Sequence, residues 1–289
     1  MQARVVVHWF IVISQVVVLA LTTTLQGAEK VRPANTNWRL VWADEFDTNG
    51  LPDKTKWRYE TGFVRNNELQ FYTQDRLENA RIENGVLVIE GRKERFPNPN
   101  YKPGGDTRRR SNAEFADYTA ASLTTQGKAS FLYGRIEVRA KLPHGNGVWP
   151  AIWMMGTNRT IGWPRCGETD IMDFVGKDPN RVHATMHFFK DGKHASKGDR
   201  IVTTAPYNDF HVYAVEWTSD RMEFYFDRQR YFTFDVNLAG DGPDNPFRKS
   251  QYLLINLALG GSWGGPMDDT VLPQKYLIDY VRVYEATKK

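Results

Sequence analysis

Cysteine is scarce in this sequence, since Cys166 is the only one among 289 residues. An internal disulfide is therefore excluded, and no spacing typical of zinc ligands is present. The chain also lacks a strong excess of charge, because its formal net charge is +4 and its one basic run is Arg108–Arg110. A run of three is more typical of a solvated loop than of a nucleic-acid surface, so no nucleic-acid partner is expected.

Helical patterning is also missing. No segment has an amphipathic stripe with capping residues, and no linker, repeat or low-complexity tract divides the chain. Apolar and charged residues instead alternate from Arg135 to Leu142, as in a half-buried strand. Similar strand-like runs occupy residues 85–90, 222–226, 231–234 and 277–284, the middle two being typical of a hairpin. Many short strands with Gly, Pro and Asn turns predict one all-β domain, a sandwich over residues 38–286.

The longest apolar run, residues 5–21, lies at the N-terminus behind Arg4 and is followed by small residues up to Ala28. This pattern predicts a signal peptide over residues 1–28 and a short lead over residues 29–37. An uncleaved membrane anchor is the alternative, because the run approaches the length needed to span a bilayer. The mature protein is expected to be secreted or periplasmic, with no membrane contact after cleavage.

Three carboxylates lie within six residues of one strand-like run. In a regular strand Glu168 and Asp170 share a face, while Asp173 falls on the other face with Ile171. Because an unpaired carboxylate is costly to bury, we predict a β-bulge at Ile171-Met172 that turns Asp173 toward the other two acids. Two carboxylates in one cleft can cleave a glycosidic bond, and nine tryptophans offer stacking surfaces for sugar rings. The alternative is a strand whose acidic face is only solvated.

The flanking residues resemble glycoside hydrolase family 16, most closely its laminarinase-like branch. That family has Trp-Pro-x-x-Gly before Glu-x-Asp-x-x-Glu, and this chain has Trp163-Pro164, Gly167-Glu168, Asp170 and then Asp173 in place of the last Glu. Further matching segments, in the family's order, are 42–47, 67–72, 133–143, 147–154, 215–217, 256–261 and 279–284. The resemblance implies a jelly-roll β-sandwich of two curved antiparallel sheets with a concave glycan-binding cleft.

The resemblance also implies roles for the three acids. Glu168 occupies the position of the nucleophile, Asp173 that of the acid/base, and Asp170 supports the orientation and pKa values of the pair. Aspartate is one methylene shorter than glutamate, so its carboxyl retreats by roughly 1.5 Å. Cys166, two residues before Glu168, is expected to be a small neutral filler, although a nucleophilic role is left open.

Six further residues are expected to bind substrate. By the family pattern Trp149 and Trp163 lie in the cleft, and Trp263 lines a subsite. His187 is expected to hydrogen-bond the acid/base group or the substrate, unless it is satisfied inside the sheet. Asn67 and Gln70 are expected to contact sugar hydroxyls, unless they only make ordinary turn and strand-edge hydrogen bonds. These six residues are Trp149, Trp163, His187, Asn67, Gln70 and Trp263.

No cofactor is expected for catalysis, but the resemblance implies a structural calcium on the sheet opposite the cleft. Asp279 is its expected side-chain ligand, and Glu45 and Gly85 are weaker candidates through nearby carbonyls. The function favoured by these patterns is retaining endo-hydrolysis of β-1,3-glucan by a monomer. The alternatives are a non-catalytic β-glucan-binding protein and a relative acting on mixed-linkage glucan or a galactan, or a transglycosylase.

Overall fold

The computed structural model describes residues 38–106 and 110–287. The predicted signal peptide and lead, residues 1–37, lie outside the described residues, as do residues 107–109 and 288–289. Seventeen strands run through the described part of the chain. They are β1 (Trp38–Asp44), β2 (Arg58–Tyr59), β3 (Phe71–Tyr72), β4 (Ala80–Glu83), β5 (Val86–Pro97), β6 (Phe115–Ala120), β7 (Ser122–Thr124), β8 (Gly134–Lys141), β9 (Val148–Gly156), β10 (Glu168–Asp173), β11 (Arg181–Lys190), β12 (Lys193–Val202), β13 (His211–Trp217), β14 (Arg221–Phe226), β15 (Gln229–Asp235), β16 (Gln251–Leu259) and β17 (Gln274–Ala286).

Helix is confined to short turns in the described residues. They are the four-residue α1 (Gly261–Gly264) and the 3-10 turns Arg110–Asn112, Arg159–Ile161, Val236–Ala239, Pro246–Arg248 and Asp269–Val271. The prediction of an all-β domain without amphipathic helices is confirmed for this part of the chain.

The strands form two sheets. The ten-stranded sheet has the order β15-β14-β13-β8-β17-β5-β6-β3, with β1 also pairing with β17 and β4 with β5. The seven-stranded sheet has the order β12-β11-β10-β9-β16-β7-β2. Strand β10, which carries the three acids, is thus third from one edge of the smaller sheet. Its neighbours β9 and β11 both pair with it antiparallel.

Apolar side chains from both sheets form one core. Ile136 and Val138 of β8 contribute from the larger sheet, and Ile255 and Leu257 of β16 from the smaller one. Full burial of such a side chain stabilises the fold by about 1.5–3 kcal/mol. This core covers the inner face of the smaller sheet, so the opposite face of β9, β10 and β11 is available for a cleft.

Strand β8 differs from a simple half-buried strand. Its alternate residues Arg135 and Glu137 are also buried. Arg135 donates from Nε to Glu137 at 2.9 Å and from Nη1 to Glu216 at 2.8 Å. Burial of these charges is tolerated because each has an oppositely charged hydrogen-bond partner.

The predicted hairpin is confirmed. Strands β14 and β15 pair antiparallel, with Phe226 opposite Gln229. Asp227 adopts a φ of 52° in the two-residue turn between them. Aspartate tolerates this left-handed region better than bulky or β-branched residues do.

The expected calcium ligands are engaged by arginines. Arg139 donates to the Asp279 carboxylate at 2.7 Å, and Arg282 donates twice to Glu45, at 2.7 and 2.9 Å. Gly85 lies in the turn between β4 and β5, with a φ of 76°. Asp279, the expected side-chain ligand, is thus already neutralised and does not fit calcium as the structure describes it. Glu45 and Gly85 were expected to contribute only through carbonyls near them, which the ion pair of the Glu45 side chain does not test. The calcium site stays a prediction.

Candidate active site

Strand β10 contains the predicted bulge. Along β9, the register shifts between Asp170 and Met172, and along β11 it shifts between Asp170 and Asp173. Ile171 and Met172 are consecutive, yet both are completely buried in the core between the sheets. This extra residue restores the phase, so that Asp173 lies on the same face as Glu168 and Asp170 while Phe174 is buried in the core.

All three carboxyl groups line a single cleft with a volume of about 630 Å³. Four tryptophans line the same cleft, two from β9, one from a loop and one from α1: Trp149, Trp153, Trp163 and Trp263. Acids in a concave site with aromatic walls are suited to a carbohydrate chain, since the ring faces accept apolar sugar surfaces.

The tryptophan rings take different positions in this wall. Trp163 is 51% exposed, whereas Trp153 is almost completely buried and donates from Nε1 to Asn256 Oδ1 at 2.7 Å. Trp149 and Trp263 meet edge to face, with their ring centroids 5.4 Å apart. The structure therefore brings Trp149, Trp163 and Trp263 to the cleft, where the sequence placed them.

Each acid has its own nitrogen partner. Trp163 Nε1 donates to Glu168 Oε2 at 2.9 Å, and Trp149 Nε1 donates to Asp173 Oδ1 at 2.9 Å. His187 Nε2 lies 3.2 Å from Asp170 Oδ2 and 4.0 Å from Glu168 Oε1. His187 was expected to bond the acid/base group or the substrate; its nearest acid is the central Asp170, and contact with substrate stays a prediction. The register of β11 against β10 explains the contact with Asp170. His187 lies opposite Glu168, at the far end of β10 from Asp173.

Burial raises the proton affinity of all three acids. It raises the pKa of Glu168 to about 8, with the charge of Asp170 adding to the effect. Burial also raises the pKa of Asp173 to about 6, although the Trp149 hydrogen bond acts in the opposite direction. The pKa of Asp170 is raised well above its ordinary value by burial and by the charge of Asp173. Because three adjacent buried carboxyls cannot all ionise cheaply, the cluster holds protons near neutral pH.

A fourth acid, Glu68, lines the cleft and was not identified as a site residue from the sequence. It is 4% exposed and accepts hydrogen bonds from Gln70 Nε2 at 2.8 Å and from the Tyr72 hydroxyl at 3.2 Å. Asn256 donates to the same Tyr72 oxygen at 3.0 Å. The period-two spacing of Glu68, Gln70 and Tyr72 was the available signal, because residues two apart share a face of an extended chain.

The assignment of Gln70 to substrate binding needs correction, whereas that of Asn67 stays a prediction. Gln70 is completely buried, and its amide is used by Glu68 and by the backbone N–H of Leu259, which donates to Oε1 at 2.7 Å. Asn67 is exposed with a φ of 53°, and its neighbour Asn66 lines the cleft instead. Gln70 thus makes the strand-edge hydrogen bonds that were the alternative, and Asn67 lies in a turn.

Two further side chains bear on the chemistry of the site. Cys166 is buried and does not line the cleft, in agreement with a filler role. Among the described residues, Glu168, Asp170 and His187 form the one group of acid, histidine or cysteine side chains close enough to share a metal ion, with ligand atoms within 4.8 Å of one another. These are the same groups that hold the proton-rich cluster, and acid clusters of this kind also occur without metals.

No helix in the described part of the chain is long and apolar enough to cross a membrane. The membrane-anchor alternative concerns residues 5–21, which lie outside the described residues.

Comparison with known proteins finds relatives along most of this fold. The profile of Glycosyl hydrolases family 16 matches residues 68–282. A beta-glucanase of Rhodothermus marinus is 42% identical over 262 residues, which cover 86% of this chain and 85% of that protein. The solved structure of the laminarinase from Rhodothermus marinus is 41% identical, has a TM-score of 0.75, and is matched over 87% of this chain and 98% of its own.

A third relative comes from work on endo-acting O-glycanases that prominent members of the human gut microbiota express to initiate mucin breakdown. That solved structure is 39% identical, has a TM-score of 0.81, and is matched over 89% of this chain and 94% of its own. At these identities and TM-scores, the predicted jelly-roll sandwich is confirmed.

Proposed function

This chain belongs to glycosyl hydrolase family 16, and we propose that it is a retaining endo-glycosidase that hydrolyses β-1,3-glucan of the laminarin type. The observation that carries the proposal is the bulged strand β10, which turns Glu168, Asp170 and Asp173 to one aromatic-walled cleft. The beta-glucanase and the laminarinase of Rhodothermus marinus support the substrate class.

The reacting form has Glu168 ionised and Asp173 protonated, and it is the less populated singly protonated form of this pair, because burial raises the pKa of Glu168 to about 8 and that of Asp173 only to about 6. In the first chemical step, the ionised carboxylate of Glu168 attacks the anomeric carbon, and the bond from that carbon to the leaving oxygen breaks. Asp173 gives its proton to the departing oxygen, which leaves as a sugar hydroxyl. A glycosyl ester on Glu168 remains, and Asp173 is now a carboxylate. Burial suits Asp173 to this role because its pKa of about 6 keeps more of the acid protonated than an ordinary aspartate would be.

In the second step, the Asp173 carboxylate takes a proton from water as the water oxygen attacks the anomeric carbon. The ester bond to Glu168 breaks, and both carboxyls return to their starting states. Two inversions at one carbon leave the β configuration unchanged.

Asp170 holds charge and protons between the two working acids. Asp170 is only 5% exposed, and this burial favours its protonated form, whose O–H can donate a hydrogen bond to Glu168. Such sharing lets Glu168 carry negative charge without three adjacent anions. His187, 3.2 Å from Asp170, is positioned to stabilise the charge that remains on this pair.

The direct test is incubation of the mature protein with laminarin, mixed-linkage glucan, agarose, carrageenan and mucin glycans, with the products separated by size. We expect a ladder of short oligosaccharides from laminarin and little product from the galactans. Glu168→Gln is the matched control, since the amide keeps the shape but removes the nucleophile. This variant should bind laminarin oligosaccharides yet release no product.

Other outcomes identify the alternatives. Cleavage of mucin glycans but not laminarin would favour the O-glycanase-like activity, for which the TM-score of 0.81 is the supporting observation. Binding of glucan without cleavage of any substrate would favour a glucan-binding protein, for which the shorter acid at Asp173 is the supporting feature. Proton NMR of the earliest product from laminarin should detect the β anomer, whereas an initial α anomer would contradict the double displacement.

Export and a monomeric state are also part of this proposal. They rest on the signal-like residues 1–28 and on a site whose acids Glu168, Asp170 and Asp173 all come from strand β10 of one chain. Size-exclusion chromatography with light scattering should give the mass of one mature chain.

A further inference from the structure

A second histidine lies at the edge of the cleft, outside the acidic motif. His194 is on β12, the edge strand of the seven-stranded sheet, and it lines the cleft although its strand is largely exposed. Its Nε2 lies 2.9 Å from His187 Nδ1, within hydrogen-bond distance. The two imidazole rings are stacked, with centroids 5.1 Å apart and planes 21° from parallel.

His194 also packs on a tryptophan. The centroid of its ring lies 4.6 Å from that of Trp163, which is closer than the 6.2 Å between Trp163 and His187. Trp163 is half exposed and lies in a loop, so this ring contact limits the positions that its indole can take. His194 therefore contacts both His187 and Trp163.

Those two contacts converge on one pair of acids. Trp163 Nε1 donates to Glu168 at 2.9 Å, and His187 Nε2 faces Asp170 at 3.2 Å. The two side chains whose nitrogens face the Glu168 and Asp170 carboxyls, His187 and Trp163, therefore both contact the ring of His194.

We propose that His194 is a positioning residue for the nucleophile, one that fixes the tautomer of His187 and the orientation of Trp163. Its effect on turnover rests on the proposed function, whereas its effect on His187 does not.

The tautomer follows from the hydrogen bond at Nδ1. If neutral His194 donates its Nε2–H to His187 Nδ1, a neutral His187 must carry its own hydrogen on Nε2, facing the carboxyls. If His187 is protonated, both of its nitrogens carry hydrogen and His194 accepts. In both states an N–H group faces Asp170 and Glu168. Burial and the charge of His187 both lower the pKa of His194, in keeping with a neutral His194.

Three variants separate the hydrogen bond from the ring packing. His194→Gln keeps an amide nitrogen near the position of Nε2 but loses the ring. His194→Phe keeps a ring against Trp163 but loses the hydrogen bond, and His194→Ala loses both. The matched control is His144→Ala, because His144 is an exposed histidine stacked on Tyr207 at 4.8 Å and does not line the cleft.

Two readouts are compared in these variants. Because a displacement near 1 Å costs about 100-fold in rate, we expect kcat on laminarin to fall about 10- to 100-fold in His194→Ala and His194→Phe, and less in His194→Gln. KM should change far less than kcat, and His144→Ala should match the wild type. Long-range nitrogen-15 NMR should find His187 protonated at Nε2 in the wild type and in His194→Gln, with a mixture of tautomers in the other two variants.

The NMR readout keeps the two proposals separate. If the wild type cleaves no polysaccharide, the proposed function fails, and the state of His187 in His194→Ala still decides the role of His194. An unchanged His187 tautomer in His194→Ala would overturn the inference. Equal losses of kcat in His194→Gln and His194→Phe, with the His187 tautomer unchanged in both variants, would also overturn it.

Discussion

Replacement of Trp149 by phenylalanine should raise the pKa of Asp173 and with it the acid limit of activity. Trp149 Nε1 donates to Asp173 Oδ1 at 2.9 Å, and this bond stabilises the ionised form of the acid. Phenylalanine keeps an aromatic ring in the cleft wall but has no N–H. Removal of a bond that favours the carboxylate must raise the pKa of Asp173, because the protonated form loses less than the charged form.

The size of the effect follows from the burial of the acid. Asp173 is 8% exposed, so water cannot readily replace the lost donor. A hydrogen bond to a charged group contributes about 1.5–3 kcal/mol, and about 1.4 kcal/mol corresponds to one pH unit. The pKa of Asp173, which is about 6 in the native site, should therefore rise by about one to two pH units in Trp149→Phe.

The assay is the pH dependence of kcat/KM on laminarin. Activity needs Asp173 protonated and Glu168 ionised, and Glu168 has the higher pKa, about 8 against about 6 for Asp173. The acid limb of the profile therefore follows the pKa of Asp173, and the alkaline limb follows that of Glu168. The acid limb should move upward in Trp149→Phe. Trp263→Phe is the control, because Trp263 contacts the edge of Trp149 and loses only aromatic surface. An acid limb that stays in place or moves downward in Trp149→Phe would refute the assignment of Asp173 as the acid.

Three other predictions concern the acid, the metal and the N-terminus. Asp173→Glu should lower activity on laminarin if the cleft has adjusted to the short acid, because the added methylene carries the carboxyl roughly 1.5 Å farther. Activity that appears only in this variant would instead show that the native chain is a glucan-binding protein. Chelation should leave the melting temperature unchanged, since Arg139 already neutralises Asp279, the expected side-chain ligand, and a fall on EDTA treatment would show that the calcium site exists. Exported protein should begin near residue 28 or 29, and N-terminal sequencing that recovers Met1 would contradict cleavage.

The fold could be predicted because its signals are local and repeated. Alternation along β8 and the hairpin of β14 and β15 required only side-chain periodicity and turn residues. The bulge in β10 could also be predicted, because regular alternation would have buried the carboxylate of Asp173 without a partner. In each case the physical constraint acts between residues close together in the chain.

Contacts between distant segments could not be predicted in the same way. Glu68 comes to the cleft only because residues 68 and 260 form a bridge between otherwise separate segments. Which acid His187 contacts depends on the register of β11 against β10. The contact between His187 and His194 depends on the antiparallel pairing of β12 with β11. Gln70 was misplaced for a related reason, since the backbone N–H of Leu259 that occupies its amide lies 189 positions away in the sequence.

The shorter acid at position 173 affects reach and acidity differently. Reach depends on the side chain, and aspartate loses about one bond length relative to glutamate. Acidity depends on the surroundings, and burial raises the pKa of Asp173 from an ordinary 3.8 to about 6, so a proton is available where an exposed aspartate would have lost it. If the shorter side chain of Asp173 lowers the rate, the loss should therefore be seen with substrates whose leaving oxygen must be protonated. Aryl glycosides with good leaving groups should be cleaved with little penalty, because their departure depends weakly on protonation.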